Sequence, residues 1–136
     1  MANRTIERTN APRESVIRAR AVPSISVLIV DDDQDSADGL AILLRYWSHR
    51  VTVAYEGHQA IQLFRSLRPD LVLLDIDLPG MDGYEVAGRM LREYRNAYLV
   101  ALTGTADRRR SIAAGFTEHI RKPFHPDVLR DLISAM

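Results

Sequence analysis

The chain has 136 residues, equal numbers of basic and acidic side chains, and no cysteine. This length fits one domain with a core of its own, and the missing cysteines exclude thiol catalysis, disulfides and zinc-thiolate sites. No apolar run approaches the roughly 20 residues that cross a bilayer, and the N-terminus has no secretory signal. We therefore expect a cytoplasmic protein without a membrane partner.

The first 23 residues differ in charge from the rest of the chain. They carry five arginines and two glutamates, a net charge of +3, so the remainder carries −3. Few of them are large and apolar, and we expect residues 1–23 to form a flexible N-terminal extension and residues 24–136 to form the domain. Five arginines without interleaved aromatic residues make a weak nucleic-acid or membrane arm, so we expect no direct contact with nucleic acid.

Strand-like and helix-like segments alternate along the rest of the chain. Short apolar runs predict strands, and apolar residues at helical spacing predict helices. The predicted strands are 27–30, 51–54, 71–75, 98–102 and 118–121, and the predicted helices are 35–48, 57–67, 83–94, 107–114 and 126–136. This alternation predicts an α/β fold with a doubly wound, five-stranded parallel sheet and helices on both faces, because parallel strands need right-handed crossover connections.

The third predicted strand carries the residue on which the functional hypothesis depends. Its run of four apolar residues is too short for a typical helix and predicts a strand buried on both faces. Asp75 stands at its carboxyl end. Ligands of open α/β sheets bind at that end of the strands, and we predict that Asp75 is a phosphoryl acceptor.

Further polar residues follow the other predicted strands at the same edge of the sheet. They are Asp31, Asp32 and Asp33 after the first strand, Asp77 after the third, Thr103 after the fourth and Lys122 after the fifth. Several carboxylates without histidine or thiol favour a hard cation such as Mg²⁺, for which Mn²⁺ could substitute. A divalent ion, one ammonium and one hydroxyl are the groups that phosphoryl transfer needs around it.

Lys122 is the only lysine among 18 basic residues. A lone lysine at this edge favours a compact point charge beside a carboxylate or phosphoryl oxygen. The alternative is an arginine-rich genome that retained one lysine by chance.

From Ser24 to Met136 the sequence resembles the receiver domain of two-component response regulators, the CheY-like superfamily. The matching segments are 27–33 (Val-Leu-Ile-Val-Asp-Asp-Asp), 69–75 (Pro-Asp-Leu-Val-Leu-Leu-Asp), 78–83 (Leu-Pro-Gly-Met-Asp-Gly), 101–103 (Ala-Leu-Thr) and 122–124 (Lys-Pro-Phe). Each is weak alone, but together and in this order they are specific. The resemblance implies a flavodoxin-like sheet with strand order 2-1-3-4-5.

The resemblance also implies a phosphorelay function. Asp75 would accept a phosphoryl group from a sensor histidine kinase or a histidine phosphotransfer protein. The implied Mg²⁺ ligands are Asp31, Asp32, Asp75 and the backbone carbonyl of Asp77. Such a protein is not a turnover enzyme in the usual sense, although it catalyses its own phosphorylation and dephosphorylation.

The remaining site residues receive implied roles from the same family. Thr103 and Lys122 would contact the phosphoryl oxygens, and Thr103 would move toward the new charge as part of a two-state switch. The bond before Pro123 would be cis. At His119 the family usually has a Tyr or Phe that changes rotamer in the switch. His119 could take that role, could instead have a pH-sensitive or interface role because it titrates near neutral pH, or could be an exposed histidine on an edge strand.

The side chain of Asp77, two residues past the acceptor, is a second departure from the family. It adds negative charge beside an incoming phosphate, or else orients the water that hydrolyses the phosphorylated form. We expect it to tune the lifetime of that form.

Parts of the sequence also fit two other classes of protein. The segment 75–77, Asp-Ile-Asp, also resembles the nucleophile motif of haloacid-dehalogenase-type phosphatases, although the acidic cluster here precedes the nucleophile and the chain is short for that fold. A binding module that works without phosphorylation would be expected to lose some site residues.

The way in which the domain passes on its signal is inferred from the sequence after the last predicted helix. No DNA-binding or catalytic segment follows it, so we expect a stand-alone receiver that contacts an unknown protein target through helix four, strand five and helix five. The sequence does not decide between a monomer and a homodimer.

Overall fold

The computed structural model describes residues 23–104 and 107–136, in which five strands and five helices alternate. The strands are β1 (Ser26–Val30), β2 (Arg50–Ala54), β3 (Leu71–Asp75), β4 (Leu99–Thr103) and β5 (Glu118–Arg121). The helices are α1 (Gln34–Tyr46), α2 (Gly57–Leu67), α3 (Gly83–Glu93), α4 (Arg108–Ala113) and α5 (Pro126–Ser134). Apart from Pro23, the predicted N-terminal extension lies outside the described residues.

The chain divides into two units. One is Ser24–Pro126, which holds the sheet and the first four helices, and the other includes Asp127–Met136 and most of α5. No helix in the described ranges combines the length and the apolar character that a membrane crossing requires.

The sheet has five parallel strands in the order β2-β1-β3-β4-β5. The predicted fold class and strand order are therefore confirmed. All five residues of β3 are buried, as expected for a strand with neighbours on both sides and helices above and below. Val30 of β1 is level with Leu74 of β3, and Leu102 of β4 is level with Asp75, so these strands end at the same height.

Alternate residues of the strands fill two separate cores. One core combines strand residues with residues of α2 and α3, namely Leu28, Val30, Val72, Leu74, Phe64, Val86 and Met90. The intervening strand residues are buried as well and must point to the opposite face, since side chains alternate along a strand. On that face α1 contacts β1 and β2 and buries Ala37, Ala41 and Leu44. Both faces of the sheet therefore carry helices.

A buried histidine lies at the opposite end of the sheet from the predicted site. His49 precedes β2, is 6% exposed, and its Nδ1 accepts a hydrogen bond of 3.2 Å from the backbone N–H of Ile25. An accepting Nδ1 carries no proton. Burial lowers the pKa of His49 below its ordinary value of 6.5, so the folded chain holds this ring neutral.

Acid should therefore weaken the fold through His49. Below pH 6.5 the unfolded chain binds a proton that the folded chain excludes, so the free energy of unfolding decreases as the pH falls. His49→Asn keeps an acceptor oxygen for the Ile25 N–H but does not titrate. Urea denaturation between pH 7 and pH 5 should show a smaller loss of stability in this variant than in the wild type.

His58→Gln is the matched control, because His58 is exposed on α2. It should follow the wild-type profile. Parallel profiles for wild type and His49→Asn would contradict the role given to His49.

Candidate functional site

Strands β1 and β3 bring two carboxylates together where they end. Asp31 follows β1 and Asp75 ends β3, and each is only 5% exposed. One carboxylate oxygen from each of Asp31, Asp32 and Asp75 lies within 4.8 Å of the others. Residues 31–32 and 75, more than 40 positions apart in the chain, therefore form one acidic cluster.

Each buried carboxylate is oriented by the backbone that follows it. The N–H of Asp33 donates to Oδ1 of Asp31 at 3.0 Å, and the N–H of Asp77 donates to Oδ1 of Asp75 at 3.0 Å. Asp33 also caps α1, because its side chain accepts from the N–H of Ser36. Oδ1 of each buried carboxylate therefore accepts a backbone hydrogen bond.

Lys122 faces the other oxygens of the same two carboxylates. Its Nζ lies 3.3 Å from Oδ2 of Asp75 and 3.7 Å from Oδ2 of Asp31. Burial lowers the pKa of Lys122, but the negative charges of Asp75 and Asp31 outweigh that effect and raise the pKa overall. Lys122 is therefore a fully charged ammonium.

The end of β4 lies between Lys122 and β3. Thr103 is the last residue of β4 and is buried, and its carbonyl accepts a 2.7 Å hydrogen bond from the N–H of Lys122. The peptide bond between Lys122 and Pro123 is cis. Thr103, the predicted hydroxyl residue, thus ends β4, and Lys122, the predicted ammonium residue, directly follows the neighbouring strand β5.

A close contact of the backbone fixes the loop after β3. The N–H of Gly83, the first residue of α3, donates to the carbonyl of Ile76 at 2.9 Å. A Cβ at Gly83 would lie 2.6 Å from Cα of Ile76 and 2.8 Å from the carbonyl oxygen of Asp75, which no side chain can do. Only glycine allows α3 to begin this close to the strand that carries Asp75.

The charge balance of the site favours a bound cation. Burial, followed by the nearby charge of Asp75, raises the pKa of Asp31 from 3.8 to about 6, although the hydrogen bond from Asp33 opposes this. The cluster offers only oxygen donors, the type that Mg²⁺ prefers, and its ligand atoms are close enough to share one ion. Asp31, Asp32 and Asp75 therefore fit a hard divalent cation. The backbone carbonyl of Asp77 as a further ligand stays a prediction.

His119 is neither exposed nor free of partners. It is partly buried on β5, and its Nδ1 lies 2.9 Å from Oγ of Ser111. Ser111 is fully buried on α4, and its hydroxyl also donates to the carbonyl of Asp107 at 3.3 Å. The alternative of an exposed edge-strand histidine is therefore wrong, whereas the switch role stays a prediction.

The sequence did not reveal two further residues beside the site. Arg110 of α4 places its guanidinium carbon 4.1 Å from the ring centroid of Tyr84 on α3. Both line a pocket of about 500 Å³ that also includes Asp32 and Asp77. Three consecutive arginines at 108–110 gave no signal that one of them would approach the site, because the helix turns each toward a different side.

The fold and this cluster define a receiver domain, and comparison with known proteins agrees. The family model of the response regulator receiver domain matches residues 27–134, and the chain belongs to that family. The DNA-binding response regulator MtrA of Mycobacterium tuberculosis is 42% identical over 106 residues, which cover 76% of this chain and 46% of that protein. The chain spans about half the length of the curated relatives it matches first.

Solved structures give the same assignment. A CheY-like receiver domain protein from Methanospirillum hungatei is 27% identical with a TM-score of 0.78, and the match covers 83% of this chain and 93% of that one. The receiver domain of a sensor histidine kinase from Pseudomonas aeruginosa is 26% identical with a TM-score of 0.75, covering 83% of this chain and 97% of that one. That structure has a magnesium ion coordinated in its active site cleft.

The acidic cluster should reduce the stability of the metal-free protein. Because the folded pKa of Asp31 is raised to about 6, its charge opposes folding above that pH. Asp31→Asn keeps the oxygen that accepts from Asp33 and removes the charge. In urea denaturation with a chelator at pH 7.5, this variant should be more stable than wild type by roughly 1–3 kcal/mol.

The gain should disappear below about pH 4, where Asp31 is neutral in the folded and unfolded chains alike. Asp35→Asn is the control, an exposed aspartate in the first turn of α1, and should change stability by less than about 0.5 kcal/mol. An Asp31→Asn variant that is less stable than wild type at pH 7.5 would refute the proposed electrostatic strain.

Proposed function

We propose that this receiver domain is phosphorylated on Asp75 by a sensor histidine kinase or a histidine phosphotransfer protein. The observation that carries the proposal is the contact of Oδ2 of Asp75 with Nζ of Lys122, 3.3 Å apart, inside a cluster of carboxylates suited to a divalent cation. A carboxylate oxygen of Asp75 attacks the phosphorus of the phosphohistidine. The P–N bond breaks, the imidazole leaves with the electron pair and takes up a proton, and an acyl phosphate forms on Asp75.

The other site residues stabilise charge during this transfer. Lys122 contacts a phosphoryl oxygen, which requires little movement because its ammonium already lies beside Asp75. Thr103, at the end of the neighbouring strand, contacts another through its hydroxyl. Mg²⁺, held by Asp31, Asp32, Asp75 and the carbonyl of Asp77, supplies positive charge to the phosphoryl oxygens when it is bound.

The protein acts as a switch in the cytoplasm and not as a turnover enzyme. Each acceptor holds one phosphoryl group until its own site hydrolyses it, and the phosphorylated form alters the surface that a downstream protein recognises. Membership of the receiver family favours this reading over the phosphatase motif that residues 75–77 resemble.

Phosphorylation should depend on both Asp75 and a divalent cation. Radiolabelled acetyl phosphate should label the wild type to about one phosphoryl group per chain with Mg²⁺, and only at trace level with a chelator. Asp75→Asn should abolish the label, because an amide cannot form the acyl phosphate. Asp35→Asn, which alters an exposed carboxylate nearby, should label as wild type does. Label that persists in Asp75→Asn would place the acceptor elsewhere.

His119 acts as the aromatic part of the switch. It lies on β5 with its ring bonded to Ser111 of α4, so a change of its rotamer would release or re-form a contact between these two elements. When Thr103 moves toward the phosphoryl group, the space beside β4 becomes available to the ring. This sequence of movements links charge at Asp75 to the position of α4.

The imidazole resonances of His119 should report the switch. The chain has four histidines, so ring ¹H–¹⁵N spectra can be assigned by substitution. Acetyl phosphate with Mg²⁺ should shift the Nδ1 resonance of His119 in the wild type and leave it unchanged in Asp75→Asn, with His58 unchanged in both as an internal control. A His119 ring that is insensitive to phosphorylation would remove it from the switch.

A further inference from the structure

A second charged pocket adjoins the acidic cluster on the side of α3 and α4. It has a volume of about 500 Å³, and its lining includes Asp32, Asp77, Asp82, Tyr84 and Arg110. Asp32 belongs to the acidic cluster itself, and the N–H of Asp77 is bonded to Asp75. The pocket therefore opens directly beside the acceptor.

Arg110 is the only cation among the described residues that line this pocket. Lys122 lines a different groove, together with Asp31. The phosphoryl group of a donor that approaches Asp75 carries two negative charges and is repelled by the carboxylates around it. On the Lys122 side the ammonium offsets them, and on the α3 and α4 side the guanidinium of Arg110 is the group available to do so.

The position of Arg110 is held weakly. Its guanidinium stacks over the ring of Tyr84, which in turn packs edge-to-face against Phe116 at 6.2 Å. Phe116 is buried, so the ring of Tyr84 is a fixed support. Arg110 itself is exposed, and a cation–π contact of an exposed arginine is weak compared with charge-assisted hydrogen bonds to phosphoryl oxygens. The guanidinium can therefore leave the ring for an anion.

We propose that Arg110 is a second anion-binding group of the site, which binds the dianionic phosphoryl group of the phosphodonor from the pocket shared with Asp32 and Asp77. The inference rests on the proposed function and adds a residue to it. Arg110 forms no covalent bond and transfers no proton. It raises the local concentration of the donor and orients its phosphoryl oxygens, while Tyr84 holds the side chain in reach between encounters.

Removal of the charge of Arg110 should weaken the binding of the phosphodonor and strengthen the binding of Mg²⁺. With phosphoramidate as donor at low salt, Arg110→Gln should raise the half-saturating donor concentration about threefold and leave the saturating rate of labelling unchanged. The same variant should bind Mg²⁺ about twofold more tightly, because a positive charge near the cluster repels the ion. Structural damage to the site would weaken the binding of donor and of Mg²⁺ alike. Opposite changes in the two affinities therefore indicate an electrostatic effect of Arg110.

Matched variants test whether the position and the charge are both needed. Arg109→Gln removes a neighbouring exposed charge that does not line the pocket and should change each constant much less. Arg110→Lys should restore most of the donor affinity. Tyr84→Leu keeps the charge but removes its support, and its half-saturating donor concentration should stay nearer to wild type than that of Arg110→Gln.

The results can overturn the inference without touching the proposed function. If the wild type is labelled on Asp75 but Arg110→Gln has unchanged constants, or weaker binding of both donor and Mg²⁺, Arg110 has no role in binding the donor. The same conclusion follows if Arg109→Gln or Tyr84→Leu reproduces the effect of Arg110→Gln. If the wild type is not labelled at all, the proposed function itself fails.

Discussion

The structure of the site depends on the forced approach of two buried carboxylates. Strands β1 and β3 are hydrogen-bonded neighbours whose residues Val30 and Leu74 are level, so Asp31 and Asp75, one position further along, must lie side by side. Neither can turn to solvent, since each is 5% exposed. Burial, followed by the nearby charge of Asp75, raises the pKa of Asp31 to about 6, so two charged carboxylates at this position oppose folding. The apolar core beneath them supplies the free energy that holds the pair together.

The surrounding groups are best understood as responses to this repulsion. Backbone N–H groups of Asp33 and Asp77 each neutralise part of one carboxylate, and Lys122 lies between the two on their remaining oxygens. These partners offset the repulsion between Asp31 and Asp75 only in part, so any added positive charge would stabilise the site further. A divalent cation held by Asp31, Asp32 and Asp75 would be attracted by the same field that destabilises the metal-free cluster. Affinity for the ion and loss of stability would then have one cause.

Local sequence was enough to place the predicted site residues at one edge of the sheet, but not to show which of their strands are neighbours. Apolar runs mark the strands, and because parallel strands end at a shared edge, Asp75 and Lys122 could be assigned to that edge. The strand order that makes them neighbours came from the family resemblance, since apolar periodicity carries no information on which strands pair. Helix α1 ended earlier than predicted because the backbone turns to a φ of 74° at Ser48, where no glycine marks the end. The contacts of Ser111 and Arg110 could not be foreseen, because each joins elements that only the tertiary fold brings together.

Helix α4 buries less apolar surface than α2 and α3. Ser111 is its only buried residue, whereas α2 and α3 each bury several apolar side chains. Its side-chain contacts with other elements include the hydrogen bond between Ser111 and His119 and the stacking of Arg110 on Tyr84. Interactions of these kinds contribute about 1 kcal/mol each, far less than an apolar helix face. Because these two contacts are weak, the position of α4 can change at a lower cost in free energy than that of α2 or α3.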